Sequence, residues 1–230
     1  MSSTSRREFV AKAMAVGAPA VRTAWGQQSP NSEIRLGVVG FRSRGRDHYQ
    51  EFAKIPGVKV AFLCDIDERL FPGAVKEVEA LGGNRPETFV DMRKLLERKD
   101  LDAISIASPD HWHALHTIWG CHAGKDVYVE KPVCHNLKEG RKMVEAARKY
   151  SRMVQTGLNR RSEKRNRAGV KFVREASFGK AYRAKAVVFR GRTSIGRVQE
   201  SSIPPGVHWD LFLGPAPYRG AETGEVAWAA

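Results

Sequence analysis

From Ile34 onward, short apolar runs alternate with amphipathic stretches, and no other feature of the chain restricts its fold as strongly. Ile34–Val39 reads as a strand that enters a Gly/Arg loop and then a helix over about 46–55. Val58–Cys64 is a second strand, and 67–81 a helix interrupted by Pro72, whose ring removes an N–H from the ladder. A helix near 91–98 leads into Ala103–Ala107, an apolar run suited to a strand buried on both faces. The helix at 113–123 ends at Gly124, where a C-terminal cap asks for a positive φ. Asp126–Val129 is the next strand, Asn136 caps a helix reaching about 149, and Met153–Thr156 is the last strand of the series. Strands separated by single helices and short connections pair in parallel, because a right-handed crossover through a helix returns the chain to the same sheet. The expected fold is therefore α/β, a doubly wound parallel sheet over 34–156.

The composition excludes several other classes. At 42% hydrophobic residues the chain is richer in apolar side chains than a disordered one, and three cysteines with no C-x-x-C spacing make no disulfide framework. Cys64, Cys121 and Cys134 read as buried thiols. No run of about 18 apolar residues is present to cross a bilayer, so no membrane partner is expected. The net charge of +14 is unevenly spread: residues 135–200 hold 19 Lys and Arg against 5 Asp and Glu. Lys138, Arg141, Lys142, Arg148 and Lys149 fall at helical spacing without interleaved stacking aromatics. That pattern reads as a solvated helix face or a contact in a homo-oligomer rather than as a nucleic-acid surface.

Ser5-Arg6-Arg7-Glu8-Phe9-Val10, followed by Lys12 and a weakly apolar stretch from Ala13 to Val21, has the layout of a twin-arginine export signal over residues 1–30. Export to the periplasm is expected; a degenerate signal would leave the protein in the cytoplasm. Twin-arginine export moves folded proteins and is compatible with a cofactor loaded before transport.

The chemistry gathers at the ends of the strands. Gly40-Phe41-Arg42-Ser43-Arg44-Gly45 approximates G-x-G-x-x-G, with Arg42 in place of the middle glycine. A strand, this loop and a helix present backbone N–H groups and a helix N-terminus to a dinucleotide pyrophosphate, and Arg42 and Arg44 add charge. Asp65 ends the second strand 20 residues after Gly45, where a carboxylate binds the adenosine ribose hydroxyls. No arginine follows it immediately and Asp67 adds negative charge, so NAD is expected as cofactor and NADP is disfavoured. Ser108-Pro109-Asp110-His111-Trp112-His113 follows one strand, Glu130-Lys131-Pro132 the next, and Gln155–Arg161 the last. Ligands of open α/β sheets lie beyond the carboxyl ends of the strands, which puts Arg42, Asp65, His113, Lys131 and Asn159 along one crevice edge. Lys131 is the candidate catalytic residue: an ammonium beside a nicotinamide steers a substrate oxygen and stabilises developing alkoxide charge. His111, His113, His116, Cys121 and His122 lie close in sequence, but no carboxylate completes a zinc spacing, and no metal is expected.

With GVVGFRSRG, CDID, ASPDHWH, VEKP, QTGLNRR and WDLFLGPAP in order, the chain resembles the Gfo/Idh/MocA oxidoreductases from about Ile34 to its end. The resemblance implies an N-terminal Rossmann domain that binds NAD or NADP and a C-terminal α/β domain that shapes a sugar or polyol site. By position it implies that Lys131 acts in catalysis, that Glu130 touches the nicotinamide ribose, and that Ser108, Pro109 and His113 lie along the cofactor. Residues after 156 resemble the opening of the second domain, with a helix near 162–176, a strand near 181–190 and an aromatic loop at His208–Phe212. The family's second domain is much longer than the stretch from 157 to 230, so this chain is expected to stop inside it, leaving Trp209, Phe212 and Tyr218 as an exposed apolar patch. The function expected is NAD(P)-dependent hydride transfer to or from a small-molecule sugar or polyol. An NAD-dependent glycosidase of the same fold and a non-catalytic nucleotide-binding module are the alternatives, and a nucleic-acid binder is the most distant reading.

Overall fold

A computed structural model of the chain describes residues 33–175, 179–187, 191, 201–216 and 225–226. The export-signal segment and Tyr218 lie outside the described residues. The apolar runs are strands at the expected places: β1 (Ile34–Val39), β2 (Val58–Cys64), β4 (Ala103–Ile106), β5 (Asp126–Glu130) and β6 (Val154–Gly157). Between β2 and β4 lies β3 (Glu87–Phe89), three residues too short and too polar to stand out in the sequence. The six form one parallel sheet in the order β3-β2-β1-β4-β5-β6, so the chain winds outward from β1 in both directions. Val39 pairs with Ile106 and Ile106 with Val129, which levels the carboxyl ends of the central strands.

Helices cover both faces: α1 (Arg44–Phe52), α2 (Phe71–Gly82), α3 (Met92–Leu96), α4 (His113–His122) and α5 (Leu137–Lys149). Val38, Leu63, Ile104, Ile106 and Val129 are sealed from solvent by these two layers, each burial contributing roughly 1.5–3 kcal/mol. Tyr49, Ala74, Val75 and Val78 close one face; Met92, Leu95, Ala114, Met143 and Ala146 close the other. The Asn136 side chain accepts from the Glu139 N–H, and Glu139 returns a bond to the His135 N–H, so the start of α5 is held from both sides. Gly124 follows α4 at φ 76°, as its position required.

Pro72 does not interrupt a helix. A single 3₁₀ turn at Glu68–Leu70 comes first, and Pro72 lies in the first turn of α2, where its missing N–H has no partner to lose. Beyond the sheet, the expected helix near 162–176 is α6 (Asn159–Ser162) and α7 (Lys164–Arg174), divided at Glu163 by its extended backbone. Residues 181–187 form no strand, and 188–190 lie outside the described residues. A two-residue ladder joins β7 (Ser201–Ser202) to β8 (Glu225–Val226), and α8 (Trp209–Leu213) lies between them. Cys64, Cys121 and Cys134 are free thiols, the first two buried and the third half-buried. No helix among the described residues is long and apolar enough to cross a membrane.

Candidate active site

A cleft of about 760 Å³ opens at the carboxyl ends of β1, β2, β4 and β5. Gly40, Arg42, Arg44, Asp65, Ser108, Pro109, His113, Glu130 and Lys131 all line it. Gly45 lies beneath the loop rather than on the cleft wall, and Asn159 is outside the lining, exposed at the start of α6 with its side-chain oxygen accepting from the Arg160 N–H. One crevice edge therefore gathers four of the five residues expected along it, and Asn159 is displaced because β6 ends one strand beyond the cleft.

The glycine loop is shaped by contact. Gly40 has φ 76° and donates its N–H to the Cys64 carbonyl at 2.8 Å, and a Cβ there would stand 2.5 Å from the Ser108 nitrogen. At Gly45 a Cβ would run into the Gly40 carbonyl oxygen, so the start of α1 packs directly under β1. Arg42, in place of a glycine, does not fill the loop: its guanidinium extends to 3.9 Å from Asp67. The bare backbone at Gly40, packed against that of Ala107 and Ser108 on the cleft lining, fits a pyrophosphate approaching main chain.

Asp65 joins the two loops at this end. One carboxylate oxygen accepts from the Phe41 N–H at 2.8 Å and the other from the Asp67 N–H at 3.0 Å. Burial, and after it the Asp67 charge, push its pKa up against those two bonds. Asp67 is buried, clasped by Nε and Nη2 of Arg69 at 2.7 Å each, and those hydrogen bonds hold its carboxyl below the usual range.

At the other end the sequence reading missed a buried chain of polar groups. Glu130, 3% exposed, takes Arg44 Nε at 3.1 Å and His48 Nε2 at 3.1 Å on one oxygen, and the Lys131 N–H at 3.3 Å on the other. Ser105 Oγ lies 2.8 Å from His48 Nδ1. A carboxylate only accepts, so Nε2 of His48 carries the proton and Nδ1 receives the Ser105 hydroxyl. Burial pushes the Glu130 carboxyl up, but hydrogen bonds from Arg44 and His48 outweigh it and hold it below its ordinary value; burial lowers His48. The available signal was spacing: Arg44 and His48 are one turn apart on α1 and share a face.

His113, 1% exposed, spans the Ser108 carbonyl at 2.7 Å and the Pro132 carbonyl at 2.6 Å, tying the loop after β4 to the turn that carries Lys131. Lys131 itself is exposed on the cleft wall, one residue past the buried Glu130. Among the described residues no group of three or more His, Cys, Asp or Glu side chains is placed to hold a metal ion.

The aromatic loop also departs from expectation. Trp209 and Phe212 are half-buried, and the segment around them returns to the sheet. The His208 N–H donates to the Ile66 carbonyl, and the Phe212 carbonyl accepts from His111 Nε2 at 2.8 Å and Trp112 Nε1 at 3.1 Å. Trp112 stacks on His116 at 4.5 Å between ring centroids, so Phe212, Trp112 and His116 form one wall of the cleft. Burial pushes His116 down to about 3. The unfolded chain protonates this ring near pH 6.5 and the folded one does not, so its contribution to stability is complete above about 6.5 and drains away on acidification toward 3. Denaturant titrations across that window should show stability falling by up to about 1.4 kcal/mol per pH unit from this group, and His116→Gln should flatten the slope. An unchanged slope would show that the ring titrates normally.

Fold and cleft together define an α/β dinucleotide-binding domain with its site at the sheet's carboxyl edge. The profile described as an oxidoreductase family with an NAD-binding Rossmann fold, GFO_IDH_MocA, matches residues 34–158. The chain belongs to the Gfo/Idh/MocA oxidoreductase family. It is similar to glycosyl hydrolase family 109 protein 1 of Shewanella sp. (strain MR-4), at 27% identity over 159 residues covering 66% of this chain and 34% of that protein. Among solved structures it is similar to myo-inositol 2-dehydrogenase from Lactobacillus plantarum, with TM-score 0.56 and 26% identity over 64% of this chain and 43% of that one. The scyllo-inositol dehydrogenase from Lactobacillus casei, solved with NAD(H) and scyllo-inositol, aligns with TM-score 0.58 and 26% identity over 64% of this chain and 42% of the other. The chain spans about a third of the length of the curated relatives it matches.

Proposed function

We propose that the chain binds NAD in this cleft and takes part in hydride transfer to or from a sugar or polyol. The observation that carries the reading is Asp65, a carboxylate on the cleft lining just past β2, held by the Phe41 and Asp67 N–H groups where it can accept from a pair of vicinal ribose hydroxyls. Gly40, the start of α1, Arg42 and Arg44 would hold the pyrophosphate, and Ser108, Pro109 and His113 would flank the cofactor toward Glu130. Bound NAD supplies the hydride acceptor or donor. Lys131 would hold the substrate oxygen with its ammonium, stabilise alkoxide charge as it develops there, and exchange a proton with it. Glu130 and His113 keep the backbone of that corner in place from two sides. The inositol dehydrogenase neighbours support a polyol or sugar substrate, and the negative charge of Asp65 and Asp67 supports NAD over NADP.

Titration with NAD, followed through tryptophan fluorescence, should give saturable binding with Kd between about 1 μM and 1 mM. Absence of binding would overturn the reading. The similarity to glycosyl hydrolase family 109 proteins favours a second reading, an NAD-dependent glycosidase. Sugar release from aryl glycosides with no net change in NADH absorbance would select it, whereas stoichiometric NADH from free polyols would select the dehydrogenase. NAD binding without turnover on either panel would identify a cofactor-binding module. Export of the loaded protein through residues 1–30 is part of the same proposal.

A further inference from the structure

Side chains of β4, α1 and β5 meet in one row that ends on the turn carrying Lys131. Ser105 Oγ lies 2.8 Å from His48 Nδ1, His48 Nε2 lies 3.1 Å from one Glu130 oxygen, and the other Glu130 oxygen accepts from the Lys131 N–H at 3.3 Å. All three side chains are buried, and Ser105 is sealed from solvent, so this Ser–His–Glu row offers no nucleophile to a substrate. What it can do is fix a carboxylate.

Glu130 has three donors, and they differ in kind. Arg44 lines the cleft and is assigned above to the pyrophosphate, so a bound cofactor competes with Glu130 for it. The Lys131 N–H belongs to the turn that has to be held. Only His48 stands apart from both, off the cleft lining and on α1. Its orientation is set from behind. Burial disfavours a second proton on the ring, the Ser105 hydroxyl occupies Nδ1, and the remaining N–H points at Glu130. The ring also packs edge-to-face with Tyr128 and Phe52, at 5.4 and 6.2 Å between centroids, which fixes its plane.

We propose that His48 is a positioning residue for hydride transfer: through its Nε2–H it fixes the Glu130 carboxylate, and through that carboxylate the backbone from which the Lys131 ammonium reaches the substrate oxygen. The inference rests on the reading of Lys131 given above and deepens it.

His48→Gln and His48→Asn separate this role from packing. Both take the imidazole away from Tyr128 and Phe52, but a glutamine amide N–H comes where Nε2 was, whereas asparagine, one methylene shorter, reaches only the place of Nδ1. On the full chain with a sugar and polyol panel, kcat is expected to fall about 10–100-fold in His48→Asn and to stay within about threefold of wild type in His48→Gln, with the NAD dissociation constant little changed in either. Hydrogen exchange of the Lys131 amide is read on the same NAD-loaded proteins, referenced to the Val127 amide that donates to the Met153 carbonyl. It should quicken at least about tenfold in His48→Asn and not in His48→Gln. Wild type that binds NAD while the two variants behave alike, in turnover and in exchange, overturns this inference and leaves the NAD reading standing. Wild type that binds NAD without turnover leaves the exchange rates to decide, and equal exchange in the two variants refutes the proposal. Wild type that binds no NAD overturns both. Should neither variant fold, Ser105→Ala decides: it removes only the hydroxyl at Nδ1, so the Lys131 amide must exchange faster, and an unchanged rate refutes the proposal.

Discussion

Replacing Lys131 with alanine is expected to lower kcat by about 10²–10⁴-fold, the range a positioned proton-transfer group supplies, while NAD affinity stays largely intact. The separation follows from where the residue lies. Lys131 is exposed on the cleft wall, whereas its neighbour Glu130 is buried among Arg44, His48 and the Lys131 N–H. Truncating the side chain removes no core contact, so stability should stay within about 0.5 kcal/mol of wild type. Steady-state turnover on a sugar and polyol panel, paired with NAD titration, checks both halves, and equal turnover in the variant removes Lys131 from the chemistry. Lys131→Arg sharpens the result: a guanidinium keeps the charge but gives up no proton, so partial recovery isolates the electrostatic share.

A methyl group at Gly40 should be nearly as disruptive, by a different route. Gly40→Ala asks a residue with a Cβ to hold φ 76° while that atom stands 2.5 Å from the Ser108 nitrogen and 2.6 Å from its Cα. Left-handed strain costs about 1–2 kcal/mol and overpacking about 1–3, for a combined loss of roughly 2–5 kcal/mol. In a chain of this size that corresponds to a fall in Tm of about 4–20 °C. NAD binding should fall with it, because the only relief is to move the loop away from β4, and that breaks the Phe41 N–H to Asp65 bond. An alanine variant that melts and binds like wild type would show that this loop is not the pyrophosphate cradle.

Much of this was legible in the sequence, for identifiable reasons. Strands β1 and β2 match the expected bounds because each is a short, mostly apolar segment whose later residues are buried, followed by Gly40 or Asp65. Asp65 was singled out by its distance from Gly45, a spacing that the length of one strand and one helix imposes, and the structure puts it on the cleft lining. What escaped detection depends on residues distant in sequence. Glu87–Phe89 is a strand only because Phe62, Leu63 and Cys64 offer it an edge. His48 drew no attention in the sequence, because its two partners, Ser105 and Glu130, reach it only when β4 and β5 are laid beside α1. Arg69 carried no signal, since its two-pronged grip on Asp67 appears only once the 3₁₀ turn folds and Asp67 is buried. Asn159 erred the other way: it follows a strand, but that strand is at the edge of the sheet and its end does not reach the cleft.

The return of residues 206–214 to the sheet makes the length that folds differ from the length that recognises. All six strands are complete by Gly157, yet one wall of the cleft is supplied by Phe212, some fifty residues further on, held to the ends of β2 and β4 by His208 and by the Trp112 and His111 side chains. Dissection at the sheet's last strand would thus preserve an intact scaffold with an altered specificity. Grafting this cleft onto another dinucleotide-binding sheet would require carrying the returning segment along with it.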